Sequence, residues 1–279
     1  MTALRQRMIE DMQIRGFSPH TQAQYVSRVA YFAKHFSRSP ERLGLEEIRA
    51  YQVHLTRQKK SWSVLSSTVS ALRFLYNITL KKEWSIQYMP YPRRPRLLPE
   101  IPSREEVLRF LDAIPNFKHR ALITTCYAAG LRVSEATHLR VKDIDGERKL
   151  IHVHLGKGKK DRMVPLSEKL LALLREYWRI ARPTDWLFSV KQTGKPITSR
   201  SAQRICVRAQ KKAGITRKIR CHTLRAAYAT HLLEAGVNVR TIQLLMGHTN
   251  LATTADYMRV CKAEVLSTAS PLDLPRQAS

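Results

Sequence analysis

The sequence predicts a mainly α-helical chain in two parts. An N-terminal helical bundle is followed by an α+β domain in which helices surround a small antiparallel sheet. Three observations predict this. Apolar residues recur at helical spacing through the first 90 residues, a proline-rich stretch interrupts the chain near residue 90, and a short run of two-residue periodicity sits among helical patterns beyond residue 145. The 279 residues are 43% hydrophobic, enough to build the core of one large domain or two of ordinary size.

Ser18 followed by Pro19 is an N-cap with proline at the first helical position. Tyr25, Val29, Phe32 and Phe36 then fall on one helical face, and Leu65, Val69, Leu72 and Tyr76 repeat the pattern. These aromatic residues are expected in the core. Between Tyr88 and Pro102 stand five prolines, at 90, 92, 95, 99 and 102. Proline lacks an N–H and restricts its predecessor, so this stretch is extended. The predicted organisation is a helical domain over 1–90, a linker over 91–102 and a second domain over 103–279.

The second domain opens with Ser103-Arg104-Glu105-Glu106, a capping box. A helix over about Lys118–Ala129 ends at Gly130, a suitable residue just past a helix end. Leu150–Leu155 and Asp161–Leu166 read as two short strands with Gly156-Lys157-Gly158 in the hairpin between them. Helices are predicted at about 167–181, 199–213, 223–235, 239–246 and 251–266.

Charge narrows the function. Lys and Arg number 49 against 22 Asp and Glu, a formal net charge of +27. Both parts contribute: residues 1–92 hold 14 basic and 6 acidic residues, and 103–279 hold 32 and 15. A polyanion touching both parts, most simply nucleic acid, fits this balance. The most uneven stretch, Trp186–Leu233, has eleven basic residues and no acidic one. Within it, Arg200, Arg204, Arg208 and Lys211 fall in an arc of about 80° on the 199–213 helix, and Ala202, Ile205, Cys206, Ala209 and Ala213 gather opposite. A solvated face normally mixes signs, so these four are assigned to DNA contact. No apolar run approaches the roughly 20 residues of a membrane helix, and Met1–Arg15 has no apolar core of a secretion signal. The four cysteines, at 126, 206, 221 and 261, have neither CxxC nor zinc-site spacing and read as reduced thiols of a cytoplasmic protein.

Three clusters carry chemistry. The first is Ala129-Gly130-Leu131-Arg132-Val133-Ser134-Glu135-Ala136. The second is His222-Thr223-Leu224-Arg225, with His and Arg on one helical turn. The third is Gly247-His248-Thr249-Asn250, followed by Tyr257; Lys157 in its glycine turn is a fourth part. Displacement at a phosphodiester builds negative charge on the nonbridging oxygens, and without a metal that charge needs fixed cations. Arginine suits this, since its planar fork grips two oxygens and stays charged. The nucleophile is a side chain or water; a tyrosine, with a pKa near 10, needs activation. The leaving sugar oxygen needs a proton, which a lysine on a hairpin tip can deliver. Taken singly, each residue has an ordinary structural reading; the ordered combination is what stands out.

That combination resembles the tyrosine recombinase (phage integrase-like) family, especially its short two-domain Xer-like members. The resemblance covers most of 103–262 strongly and 1–90 loosely. The Ala129–Glu135 run is similar to the family's first box, Gly156–Arg162 to its β-hairpin box, His222-x-Leu224-Arg225 to its HxLR box and Gly247-His248 to the next, and Tyr257 falls at the nucleophile's place. The resemblance implies a SAM-like core-binding N-terminal domain, a catalytic second domain and strand cleavage in which Tyr257 forms a 3′-phosphotyrosyl link. Lys157 is then the general acid. Arg132, Arg225 and His248 bind the nonbridging oxygens, His222 helps accept the tyrosine proton and Glu135 orients its neighbours. The link conserves bond energy, so no ATP, metal or other cofactor is expected, and no GxxxxGK[ST] motif is present. The chain departs from many relatives at Ala226, where a second histidine is common, and at Arg259, which also replaces a histidine; Asp256 precedes the nucleophile. The implied partner is double-stranded DNA with inverted half-sites, clamped by the two domains with the linker crossing it and no arm-binding domain ahead. A homotetramer forms the synaptic complex, for integration, excision, transposition or resolution of DNA. A noncatalytic DNA-binding protein and a type IB topoisomerase are the competing readings.

Overall fold

The computed structural model describes residues 2–82, 89–93, 100–154 and 161–247. The predicted hairpin tip at 156–158 and the predicted helix over 251–266 lie outside these residues. The chain divides into two compact units, Met1–Leu97 and Leu98–Ser279.

In the first unit, α1 (Ala3–Ile14), α2 (Pro19–Phe36), α3 (Leu45–Arg57) and α4 (Trp62–Phe74) form a helical bundle. Ser18 caps α2 by accepting a hydrogen bond from Thr21 N–H, with Pro19 at the first position. Phe32, Val69, Leu72 and Tyr76 are buried, and Tyr25, Val29, Phe36 and Leu65 pack around them. Helix α4 runs into one π-helical turn, Leu75–Thr79, whose buried Tyr76 hydroxyl donates to Pro40 O at 2.8 Å.

The second unit is built around α6 (Phe117–Ala128) and α10 (Cys221–Glu234). Neither has a polar stripe. Ala121, Leu122, Ile123, Thr125 and Cys126 surround the axis of α6, so this helix is enclosed on several sides. It packs against α5 (Arg104–Asp112), α7 (Val133–Thr137), α8 (Glu168–Ala181), α9 (Ser199–Lys212) and α10. Helix α10 places Ala226, Ala227 and Ala229 in its buried surface, and α11 (Val239–Met246) lies against it. Ser103 caps α5 as the sequence predicts: its Oγ accepts from Glu106 N–H, and Glu106 reaches back to Ser103 N–H.

The sheet has order β1-β2-β3, antiparallel throughout, from Ile144–Asp145, Leu150–Val153 and Arg162–Pro165. Strands β2 and β3 are those the alternation predicts, shortened by a residue or two; β1 is an addition too short to show a period. Ile151 pairs with Val164 and Val153 with Arg162. Ile151, Val153 and Val164 are buried, so Arg162 shares their inward face.

Gly130 follows α6 with φ +59°, and a methyl added to it would stand 2.4 Å from Tyr228 Cδ1 on α10. Left-handed strain and overpacking therefore act together. We expect Gly130→Ala to lose on the order of 3 kcal/mol of stability, measured by urea unfolding.

Candidate active site

The site is assembled where α7, β3, α10 and the end of α11 meet. Glu135 is the third residue of α7 and reaches back so that its Oε2 accepts from Arg132 N–H at 2.8 Å. This places its carboxylate among three guanidiniums. Oε1 accepts from Arg132 Nη1 at 2.6 Å and from Arg162 Nη1 at 3.0 Å, and Oε2 accepts from Arg162 Nη2 at 2.8 Å. Arg225 Nη1 stands 3.7 Å from Oε2. Burial opposes the carboxylate's charge, but the hydrogen bonds from Arg162 and Arg132 overcome it and bring the Glu135 pKa down from 4.5 to about 2.

The same arginines close the end of α11. The last carbonyls of a helix lack intrahelical partners and carry partial negative charge. Here Arg162 Nε donates to Leu245 O at 2.9 Å, Arg225 Nη2 to Met246 O, and Arg132 Nη2 to Gly247 O at 3.3 Å. Arg225 Nη1 also donates to Gly130 O at 2.5 Å. Three successive carbonyls are thus held by three arginines, and Gly247, with φ +58°, turns the chain immediately before His248.

Exposure differs within the group. The Arg132 side chain is 24% exposed, Arg162 11% and Arg225 2%. His222, in the first turn of α10, has its pKa lowered below the ordinary 6.5, chiefly by desolvation against the protein and further by the charges of Arg225 and Arg132. Its neutral form is therefore favoured near neutral pH.

The structure thus brings Arg132, Glu135 and Arg225 together, with His222 beside them. Lys157, His248 and Tyr257 lie outside the described residues. Arg200, Arg204, Arg208 and Lys211 are all exposed on α9, with Ala202, Cys206 and Ala209 buried opposite. They form a separate cationic face. Of the cysteines, Cys126, Cys206 and Cys221 are free and buried. The sequence assigns Arg162 no role of its own, although its guanidinium grips both Glu135 oxygens, at 3.0 and 2.8 Å, where the Arg132 guanidinium grips one, at 2.6 Å; the signal for it is its place opposite Val153 on the inward face of a strand.

Comparison with known proteins places this geometry. Residues 103–264 match the phage integrase family, and residues 4–86 match the phage integrase N-terminal SAM-like domain. The protein y4qK of Sinorhizobium fredii is 48% identical over 281 aligned residues, covering 100% of this chain and 91% of its own. A tyrosine recombinase of Pseudothermotoga lettingae is 34% identical over 268 residues, covering 91% and 92%. Among solved structures, the XerA recombinase is 27% identical with a TM-score of 0.54, covering 91% of this chain and 92% of its own. A lambda integrase dimer bound to a core site shares the fold at a TM-score of 0.77 and 17% identity, covering 97% and 98%. Fold and relatives define a DNA breaking-rejoining enzyme. The chain belongs to the phage integrase family, the tyrosine recombinases, whose activity is site-specific DNA recombination.

Proposed function

We propose that this recombinase cleaves DNA through a covalent 3′-phosphotyrosyl link to Tyr257, with Arg132, Arg225 and His248 gripping the scissile phosphate. The observation that carries this reading is the anchoring of Leu245, Met246 and Gly247 carbonyls by Arg162, Arg225 and Arg132. Two of the assigned phosphate ligands thereby fix the chain directly ahead of the third, His248. Attack by the Tyr257 oxygen forms the new P–O bond and breaks the bond to the 5′ oxygen, which takes a proton from Lys157 and leaves as a hydroxyl. Neutral His222 helps take the phenol proton. Arg132, the more exposed arginine, meets a nonbridging oxygen directly. Arg225 is satisfied by protein acceptors, so its contact exchanges a carbonyl for a phosphate oxygen. Glu135 touches no substrate and positions the arginines. Residues 1–90 are the core-binding domain, 91–102 the linker and 103–279 the catalytic domain. DNA with inverted half-sites is the substrate, held by four copies at synapsis, and the protein acts in the cytoplasm.

The test is incubation of the full chain with suicide half-site DNA, followed by denaturation and peptide mapping. A denaturation-resistant adduct on the peptide holding Tyr257 supports the reading; no adduct, or an adduct elsewhere, overturns it.

The α9 face supplies nonspecific grip on the backbone. Replacing Arg204 and Arg208 together by Ala should weaken binding about equally across sequences. The slope of log K against log salt should fall by about 1.8, as for two phosphates released, in filter-binding or anisotropy titrations.

A further inference from the structure

We propose that His152, His154 and Asp161 form a binding site for a divalent transition-metal ion of the Zn2+ type at the neck of the β2–β3 hairpin. Among the described residues, these three are the group of His, Cys and acidic side chains whose ligand atoms converge, all within 4.8 Å of one another. The convergence follows from strand geometry. His152 and His154 are two residues apart along β2 and its extension, so they share one face, and the register pairing Val153 with Arg162 brings Asp161 alongside His154. Val153 and Arg162 point inward, which leaves the three ligands on the outer side.

The spacing suits zinc. Ligands at 2.0–2.1 Å around a tetrahedral centre lie roughly 3.3 Å apart. His152 Nε2 is 3.3 Å from Asp161 Oδ2, and His154 Nδ1 is 3.2 Å from the same oxygen. Two imidazoles and one carboxylate, with a fourth position left to solvent, form an accepted zinc ligand set.

A supporting carboxylate strengthens the assignment. His154 Nε2 lies 2.9 Å from Oδ1 of Asp143, which is almost wholly buried, and Asp143 Oδ2 accepts from Arg140 N–H at 2.8 Å. Asp143 is therefore fixed as an acceptor facing Nε2, which turns the Nδ1 edge of the ring toward Asp161 Oδ2, 3.2 Å away, with room for a cation to be held by both. A carboxylate holding the far nitrogen of a ligating histidine is the usual support of a metal site. Asp143 is a positioning residue here.

The ligands flank residues 155–160, the segment that carries Lys157. A metal bound across His154 and Asp161 ties the two ends of that segment together. The consequence for cleavage rests on the assignment of Lys157 as general acid; metal binding itself does not.

The test uses the full chain, stripped with chelator and titrated with Zn2+ by calorimetry, and with Co2+ by absorption. The expected result is a zinc equivalent lost in His152→Ala and in Asp161→Asn, each binding on the order of 100-fold more weakly, and bound about 10-fold more weakly in Asp143→Asn. Co2+ should give the visible spectrum of nitrogen and oxygen ligands without a thiolate band. His152 is partly exposed and belongs to no core cluster, so His152→Ala keeps its fold, checked by an unchanged melting temperature. Zinc uptake equal in wild type, His152→Ala and Asp161→Asn overturns the proposal, as does a thiolate spectrum or no uptake by the wild type. Failure of zinc binding leaves the Tyr257 adduct untouched, and absence of the adduct leaves zinc binding untouched, so the two readings fail separately.

Discussion

Tyr257→Phe should form no denaturation-resistant adduct with suicide DNA, and recombination should fall on the order of 10^4-fold or more. The substitution removes one oxygen and little else. That oxygen is the atom proposed to bond to phosphorus, and no neighbouring group restores a nucleophile once it is gone. A phenol is a weak nucleophile at neutral pH, so the reaction depends on groups placed around it rather than on its own reactivity. DNA affinity and its salt dependence should stay close to wild type, because grip on the duplex comes from cations such as those on α9 and not from one hydroxyl. Two measurements decide: a denaturing gel for the adduct and a binding titration for affinity. An adduct in Tyr257→Phe would place the nucleophile elsewhere; loss of both adduct and binding would mean that the tyrosine acts through folding.

The legible parts of the sequence were those with local physical signatures. Helix α2 announces itself by Ser18-Pro19 and by aromatics on one face; α5 by Ser103 and Glu106; α9 by cations opposite alanines. The strands show their alternation at Ile151, Val153 and Val164. Helix α1 escaped because Met8 and Met12 are its buried residues among polar neighbours, too few to set a period. Helix α7 is five residues long, shorter than any window that reveals periodicity. Within the site, Arg132, Glu135, His222 and Arg225 were marked by their boxes, but their arrangement was not. That Arg162 comes to Glu135, and that three arginines hold three successive carbonyls at the end of α11, depends on contacts between residues 21 to 115 positions apart. No local rule reports such contacts. The same holds for His152, His154 and Asp161, which become a group only through strand register.

Those long-range contacts also define the second large effect, at Glu135. Glu135→Gln should lower stability by about 3–5 kcal/mol, the cost of removing one partner from a buried ionic group, and melting of the second unit should fall on the order of 10 °C. Glutamine keeps the shape, but its amide N–H2 meets arginine donors where an acceptor stood. Arg162 and Arg225 are then left close together in the interior without the carboxylate between them. Cleavage should fall as well, since Arg132 and Arg225 lose the group that sets their positions; DNA binding through α9 should not. The wild-type pH dependence provides the control. The folded Glu135 pKa of about 2 lies below its ordinary 4.5, so this carboxylate contributes stability that is fully present above pH 4.5 and is lost as pH falls toward 2. A shift of that size corresponds to about 3 kcal/mol. Urea unfolding between pH 4.5 and 2 should show this decline in wild type and a shallower one in Glu135→Gln. Equal slopes in the two proteins would show that the acid sensitivity arises at another carboxylate, and that Glu135 is not the electrostatic centre of the site.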